Sequence, residues 1–144
     1  MNTVPFKCRI ETNNADSPVG LKILLDNNII FSCDQLTEPV NFVHDILEDE
    51  NNHEISFEMF AKTADHTVID DQGNILKDTF IKINDISLDD INIDQVVFDK
   101  SVYGHNFNGT QPPIEDKFFG VMGCNGTVRL QFSTPIYIWL LENL

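Results

Sequence analysis

Apolar and polar residues alternate along residues 53–62, in the sequence HEISFEMFAK. Successive side chains of a β-strand point to opposite faces of a sheet, so this alternation predicts a strand with one buried face and one solvated face. The predicted inner residues are Ile55, Phe57, Met59 and Ala61, and the predicted outer residues are Glu54, Ser56 and Glu58. Antiparallel sheets contain such one-sided strands, and we expect the rest of the chain to cover the inner face.

Two strand signals precede this segment. Residues 4–10 alternate in the same way, and Pro5 lacks a backbone N–H, which predicts a sheet edge or the start of a strand. Residues 21–25 and 29–33 are short apolar runs separated by Asp-Asn-Asn. Asp and Asn tolerate the left-handed backbone conformation of a tight turn, so these two runs are predicted to form a hairpin.

The last third of the chain predicts further strands. Asn125-Gly126 is typical of a type I′ turn, so residues 118–124 and 127–132 are predicted to pair as a hairpin. Residues 96–98 are another short strand candidate. After Pro135, the segment IYIWLLENL is apolar on both faces and is predicted to be a closing strand that is covered on both sides.

These segments predict an all-β protein. About eight to ten short strands, separated by turn residues, are the pattern of a sandwich or a barrel. We therefore predict a two-sheet antiparallel β-sandwich of the jelly-roll type, with an immunoglobulin-like sandwich as the alternative. A chain of 144 residues has the size of one domain, so residues 1–144 are assigned to a single sandwich.

The charge of the chain restricts its partners. Nine basic residues against 23 acidic ones give a net charge of −14, which repels nucleic-acid phosphates and anionic membrane surfaces. Cys8, Cys33 and Cys124 have no zinc-binding spacing and are predicted to be buried thiols of a reducing compartment. The N-terminal sequence MNTVPFKCRIETNN shows no apolar signal segment, and no apolar run approaches the roughly 20 residues needed to cross a bilayer, so we expect a soluble protein.

An acidic loop is the best candidate for a metal site. Asp70, Asp71, Asn74 and Asp78 supply the oxygen atoms that calcium prefers, and they lie within one short segment. Their spacing departs from the EF-hand loop, because Gly73 follows Asp71 too early. The alternative is that these side chains form Asx turns with their own backbone and that the chain holds no cofactor.

Aromatic residues in the last third suggest a ligand-binding surface. Tyr103 and Trp139 are the candidates on which a sugar ring would stack if they are exposed. The alternative is core packing, because aromatic side chains dominate sandwich cores.

No catalytic constellation is found in the sequence, so we expect a protein that is not an enzyme. Glu54 and Glu58 lie on one strand face and would be roughly 13 Å apart, at about 3.3 Å per residue, which fits neither glycosidase geometry. The histidines lack the HExxH spacing, and no GxSxG sequence is present.

Three stretches carry a resemblance to a known group of proteins: HEISFEM, DHTVIDDQGNILKD and HNFNGTQPPIEDKFFGVMGCNGTVRLQFSTPIYIWLLENL. Over most of its length the chain resembles small virion-associated proteins of marine T4-like tailed phages. The resemblance implies a structural or assembly module of the virion, in the tail, the baseplate or the fibre attachment, made in the host cytoplasm. Its partners would be other virion proteins or copies of itself.

The HEISFEM strand and the acidic loop also have a distant resemblance to calcium-dependent carbohydrate-binding modules of the jelly-roll type. This second resemblance implies a glycan as the partner and calcium as the cofactor. No ligand motif of such modules maps residue by residue onto this sequence.

Overall fold

The computed structural model describes residues 2–144. This part of the chain contains thirteen strands, two short helices and one 3₁₀ turn. The strands are β1 (Thr3–Thr12), β2 (Gly20–Leu25), β3 (Asn28–Cys33), β4 (Val40–Leu47), β5 (Asn52–Phe60), β6 (Val68–Ile69), β7 (Ile75–Lys77), β8 (Ile81–Leu88), β9 (Ile91–Asn92), β10 (Val102–His105), β11 (Ile114–Asp116), β12 (Val121–Met122) and β13 (Gly126–Ser133). The helices are α1 (Asp94–Lys100) and α2 (Ile136–Asn143), and the 3₁₀ turn is Ala64–His66.

The six-stranded sheet has the order β11-β10-β13-β5-β2-β3 and is antiparallel throughout. Its central strand β5 is the alternating segment of the sequence, and Ile55, Phe57 and Met59 are buried as predicted. Ala61 departs from the prediction, because it lies beyond the end of the strand with φ at +68°. Ser56, predicted to face solvent, is buried.

The five-stranded sheet has the order β12-β8-β1-β4, and β9 pairs with β8. Of the two alternatives for residues 4–10, the sheet edge is wrong, because β1 pairs with β4 on one side and with β8 on the other. The other alternative is correct, since Pro5 is the third residue of β1 and lies near its start. Pro5 is accommodated because the pairing with β8 begins one residue later, at Phe6. The Pro5 carbonyl instead accepts a hydrogen bond from the Asp89 N–H, at 2.9 Å.

Apolar side chains from both sheets meet in one core. Across it the rings of Phe6 and Phe57 lie 6.3 Å apart, and those of Phe31 and Phe42 lie 5.7 Å apart in an edge-to-face arrangement. Such contacts are the usual packing of aromatic rings between sheets. The chain is thus a two-sheet antiparallel β-sandwich, which confirms the predicted fold class.

The first predicted hairpin is also confirmed. β2 and β3 pair around Asp26 and Asn27, whose φ angles are +51° and +66°. Two successive positive φ angles are what a type I′ turn requires, and Asp and Asn tolerate them.

The second predicted hairpin is wrong. β12 pairs with β8 in the five-stranded sheet, whereas β13 pairs with β5 and β10 in the six-stranded sheet. Neither Asn125 nor Gly126 has a positive φ. The Asn125 side chain instead bonds to the backbone N–H and C=O of Lys62, at 2.9 and 2.8 Å. Gly126 lies against the backbone of Gly104, where a Cβ would have no space.

Two segments that were predicted as strands are helical: the short strand at residues 96–98 and the closing strand after Pro135. Residues 96–98 belong to α1, and IYIWLLENL forms α2. In α2 the buried residues are Ile136, Trp139 and Leu140, which are three and four residues apart and therefore share one helix face. No helix within residues 2–144 is long and apolar enough to cross a membrane.

The cysteines are unpaired, as predicted. Cys8 is buried, and burial raises the pKa of its thiol to about 12. Cys33 and Cys124 are only half-buried, so the prediction of buried thiols is correct for Cys8 alone.

Candidate binding groove

The acidic loop folds into a small arm, formed by β6 and β7. Asp70 lies at the tip, where its carboxylate accepts hydrogen bonds from the backbone N–H of Gln72 and of Asn74 and from the Asn74 side chain. These bonds, led by the one from the Asn74 backbone, lower the pKa of Asp70. The geometry is that of an Asx turn, the alternative that the sequence left open.

Asp78 lies at the base of the arm and has different partners. Its carboxylate accepts hydrogen bonds from Thr67 and from the Thr79 N–H, and it pairs with the buried ammonium group of Lys62 at 2.7 Å. Burial by itself raises the pKa of Asp78, but these partners lower it by a larger amount. The net shift of the pKa is therefore downward. The Lys62 ammonium also donates to the Gly123 carbonyl at 2.6 Å. The Lys62–Asp78 ion pair therefore connects the arm to the sandwich.

The structure does not bring the four predicted calcium ligands together. Within residues 2–144 no group of three or more His, Cys, Asp or Glu side chains is placed to hold a metal ion. Asp71 is exposed beside the tip, and the Asn74 amide is turned toward Asp70. Calcium binding by this loop stays a prediction.

Neither predicted stacking residue presents an open ring face, because Tyr103 and Trp139 are both more than nine-tenths buried. The Tyr103 hydroxyl donates to the Cys124 carbonyl and accepts from the Cys124 N–H. Burial is the main cause that raises the pKa of Tyr103 to about 12. Trp139 packs edge-to-face on Phe132 with the ring centres 6.1 Å apart, and it is one of the residues that line a surface groove.

This groove follows β13 along the outer face of the six-stranded sheet. Val128, Leu130 and Phe132 point into the core, so the side chains between them point outward by the alternation of a strand. The outward residues are Thr127, Arg129, Gln131 and Ser133.

Three adjoining cavities form the groove. Their volumes are about 530, 410 and 510 Å³. The first two share Glu54, Gln131 and Trp139, and the last two share Gly104, Glu115 and Arg129. The groove therefore spans β13 from Ser133 to Gly126, roughly 23 Å at about 3.3 Å per residue.

Strand register places the groove's polar side chains opposite one another. Gln131 lies opposite Glu54 of β5, and the Arg129 guanidinium lies 3.8 Å from the Glu54 carboxylate. Further along, Gly104 of β10 lies between Thr127 and Glu115. Because Gly104 has no side chain, it leaves open space between the polar residues Thr127 and Glu115.

One end of the groove is closed by a histidine between two carboxylates. The His53 Nδ1 lies 2.6 Å from Asp26 Oδ2, and Nε2 lies 2.7 Å from Asp49 Oδ1. Burial lowers the pKa of His53, but the two carboxylates raise it more, so its pKa is above the ordinary value. The hydrogen bond from His53 is also the main cause that lowers the pKa of Asp49 to about 2. We call Asp26, His53 and Asp49 the histidine clamp.

Comparison with known proteins gives one structural neighbour. No family model matches the sequence, and no curated protein matches it. The chain is similar to a solved structure described as vCBM60 in complex with galactobiose, at 10% sequence identity and a TM-score of 0.49. The alignment covers 90% of this chain and 97% of the other. A similarity at this level identifies no ligand for this chain.

Sequence reasoning placed the groove residues on outer faces but did not join them. Alternation along residues 127–132 sets Arg129 and Gln131 on the face opposite Val128, Leu130 and Phe132, and both are exposed. Glu54, predicted to be an outer residue of its strand, is partly exposed. Alternation does not reveal that β13 lies beside β5, because the two strands are about 70 residues apart in sequence and no turn connects them. The clamp was missed for the same reason, since Asp26, Asp49 and His53 come from separate turns and strands.

Proposed function

We propose that this chain is a non-catalytic carbohydrate-binding module that holds a glycan chain in the groove along β13. The observation that carries the proposal is the groove itself. It is open and elongated, it is lined by Glu54, Arg129 and Gln131, and it is bordered by Trp139.

The groove chemistry suits a sugar. Each sugar hydroxyl both donates and accepts hydrogen bonds, and the groove offers carboxylate acceptors, guanidinium donors and amide groups that do both. The small exposed part of Trp139 lines the groove beside them. Small-molecule sites commonly combine such an aromatic surface with a few placed polar groups. The net charge of −14 works against a nucleic acid as the occupant.

Two features support binding without catalysis. Both ring nitrogens of His53 are occupied by carboxylates, and the Glu54 carboxylate lies near Arg129. Neither residue is therefore a free general base or acid within reach of a ligand. Incubation of the purified protein with any glycan that it binds should release no reducing ends.

The test is a glycan array, followed by titration of the best neutral oligosaccharide. Trp139 is the single tryptophan of the chain and borders the groove, so its fluorescence reports occupancy directly. Arg129→Ala and Gln131→Ala should each weaken binding about tenfold, the effect of one lost charged or strong hydrogen bond of about 1.4 kcal/mol.

Matched controls separate the groove from the rest of the surface. Arg9→Ala removes an arginine from the five-stranded sheet, and Gln72→Ala removes a glutamine from the tip of the arm. Both should bind like the unmodified chain. An array without hits, or equal losses in the groove and control variants, would contradict the proposal.

Calcium is tested by the same titration in EDTA and in millimolar calcium. We propose that occupancy of the groove is independent of calcium, because Asp70, Asp71, Asn74 and Asp78 lie on the arm and none of them lines the groove. A ligand at one hundred times its dissociation constant adds about 2.7 kcal/mol to stability, so a thermal melt in the same two buffers would detect a calcium site. A clear rise of the midpoint in calcium would assign these four residues to a metal site after all.

A second candidate function is assembly with another protein, and the outer face of α2 favours it. Tyr137, Ile138, Leu141 and Leu144 are all exposed, and their spacing of three and four residues places them on one side of the helix. An exposed apolar face of this kind is typical of a surface that a partner covers. The partner proposed from the sequence resemblance is a protein of a tailed-phage virion.

Co-sedimentation of the labelled chain with purified marine T4-like phage particles tests this second candidate. Leu141→Glu should abolish co-sedimentation, because it places a charge in the middle of the apolar face. Leu76→Glu, the same change at an exposed leucine of β7, should leave it intact. A chain that stays in the supernatant would leave α2 without a role in assembly.

A further inference from the structure

The histidine clamp joins two separate turns at the end of the groove. Asp26 belongs to the turn between β2 and β3, and Asp49 belongs to the connection from β4 to β5. The His53 ring lies between them, is 10% exposed at its side chain, and stacks on Phe132 with the ring centres 5.6 Å apart. Asp26 and His53 both line the groove, whereas Asp49 lies behind them and accepts a hydrogen bond from Thr134 at 3.0 Å.

We propose that His53 is a positioning residue for the groove, whose protonated ring holds the Asp26 carboxylate in the wall so that carbohydrate binding weakens when the ring loses its proton. This inference rests on the proposed function. A charged imidazole donates from both nitrogens, so both carboxylates are satisfied at once. A neutral imidazole donates from one nitrogen only and turns a lone pair toward the other carboxylate.

The structure also indicates which carboxylate is released. The Asp49 side chain is 21% exposed and the Asp26 side chain is 42% exposed, so water compensates Asp26 more readily for a lost partner. We therefore expect the neutral ring to keep its proton on Nε2 and its hydrogen bond to Asp49. The Asp26 carboxylate then keeps only the hydrogen bond that its Oδ1 accepts from the Glu54 N–H, at 2.8 Å.

The surroundings of His53 contain few other charges. Asp26 faces it from the β2–β3 turn and Asp49 from the connection before β5, while Glu54 lies next to it along β5. β13 contributes Phe132 beside the ring, and the segment that follows β13 contributes Thr134 behind Asp49. α2 contributes Trp139 to the same cavity, so β13 and α2 place no titratable group against the ring.

The direction of the pH effect follows from the pKa of His53, which the clamp raises above about 6.5. Below that value the ring is charged and the groove wall is ordered before the ligand arrives. As the pH rises through the raised pKa, the wall loses this order and the ligand has to restore it, which lowers affinity.

The first measurement needs no ligand. Ring-nitrogen NMR of the ¹⁵N-labelled full chain, from about pH 6 to about pH 9, follows protonation of His53 at and above its ordinary pKa of about 6.5. We expect the Nε2–H form at high pH, and we expect the amide signals of Asp26 and Asn27 to shift with the same midpoint as the ring. Amide signals that ignore the titration of His53 would overturn the proposal.

The second measurement titrates the best neutral oligosaccharide from the array across the same pH range. Affinity of the unmodified chain should fall at least about fivefold, the lower end of typical coupling between two sites. His53→Gln should bind with a flat pH profile, and Asp26→Asn, which preserves the shape of the side chain, should show a reduced one. His44→Gln, which removes a histidine from β4 in the other sheet, should keep the full dependence.

The outcomes distinguish this inference from the proposed function. A bound oligosaccharide whose affinity ignores pH, or a pH dependence that persists in His53→Gln, overturns the positioning role and leaves the binding module in place. An array without hits removes the proposed function and with it the role of His53 in binding. Coupled NMR titrations would in that case show a clamp that serves stability alone.

Discussion

Single residues stabilise this sandwich in two ways: some connect polar groups by hydrogen bonds, and others leave space for a neighbouring strand. Gly126 shows the second kind of action. A Cβ at Gly126 would lie less than 3.0 Å from the Gly104 carbonyl oxygen and 2.8 Å from the Cβ of His105. Its missing side chain is therefore what allows β10 to pair closely with β13 beside the groove.

Gly126→Ala should lower the free energy of unfolding by about 1–3 kcal/mol, the usual cost of overpacking a site whose neighbours are backbone atoms. Gly123→Ala is the matched control, because its Cβ would meet nothing within 4 Å and its φ is not in the left-handed region. The control should stay within about 0.5 kcal/mol of the unmodified chain. Urea unfolding of both variants decides, and equal stabilities would contradict the close approach.

Asp49 shows the first kind of action, because its carboxylate accepts hydrogen bonds from His53 and Thr134. Its pKa is lowered to about 2 in the folded chain, below the ordinary 3.8. A lowered pKa stabilises the fold above the unfolded value, and this contribution is lost as the pH falls through the folded value. We therefore expect the unmodified chain to lose stability between pH 3.8 and about 2 more steeply than Asp49→Asn.

Denaturant unfolding at several acidic pH values measures this difference. Asp45→Asn, an exposed aspartate on β4, is the control and should follow the unmodified chain. If Asp49→Asn shows the same acid sensitivity as the unmodified chain, the carboxylate contributes no stability through the clamp.

At the scale of elements, sequence patterns misassigned the type of both helices, and α2 is the larger case. In a strand, the apolar residues of this segment would occupy both faces. In the helix that forms, only one side is buried against the sandwich. Leu140 is 2% exposed, whereas the next residue, Leu141, is 83% exposed. Adjacent leucines thus report two sides of one short helix.

Leu140→Ala should lower the free energy of unfolding by about 2–5 kcal/mol, the range for removing a buried leucine side chain. Leu141→Ala should change it by less than about 0.5 kcal/mol, as for other exposed positions. Both values come from urea unfolding followed by far-ultraviolet circular dichroism. Similar losses in the two variants would indicate that a partner copy or another segment covers Leu141.

At the scale of the whole molecule, the sandwich separates its tasks between surfaces. The core joins the two sheets, the groove occupies the outer face of the six-stranded sheet, and the apolar side of α2 is exposed apart from the groove. The chain as a whole carries a net charge of −14. Self-repulsion of that charge opposes compaction and favours solubility.

Added salt should therefore stabilise the chain at neutral pH. The Debye length falls from about 30 Å at 0.01 M to about 3 Å at 1 M, which screens repulsion among the carboxylates. Urea unfolding in increasing sodium chloride should give a rising free energy of unfolding, and the rise should shrink at about pH 4, where carboxylates begin to protonate. A decrease with salt at neutral pH would mean that ion pairs such as Lys62–Asp78 outweigh the repulsion.

The sequence by itself determined the fold class, the buried inner face of β5 and the β2–β3 hairpin. In each case the information is local, because alternation and turn residues act through neighbours along the chain. The tertiary structure decided what local patterns leave open. Asn125-Gly126 carries a turn signal, but the pairing of β13 with β5 and β10 places these residues in a junction between strands. IYIWLLENL became a helix because the end of the sandwich accepts one side of it. The groove and the histidine clamp depend on residues that are distant in sequence, and only the packing of the sheets brings them together.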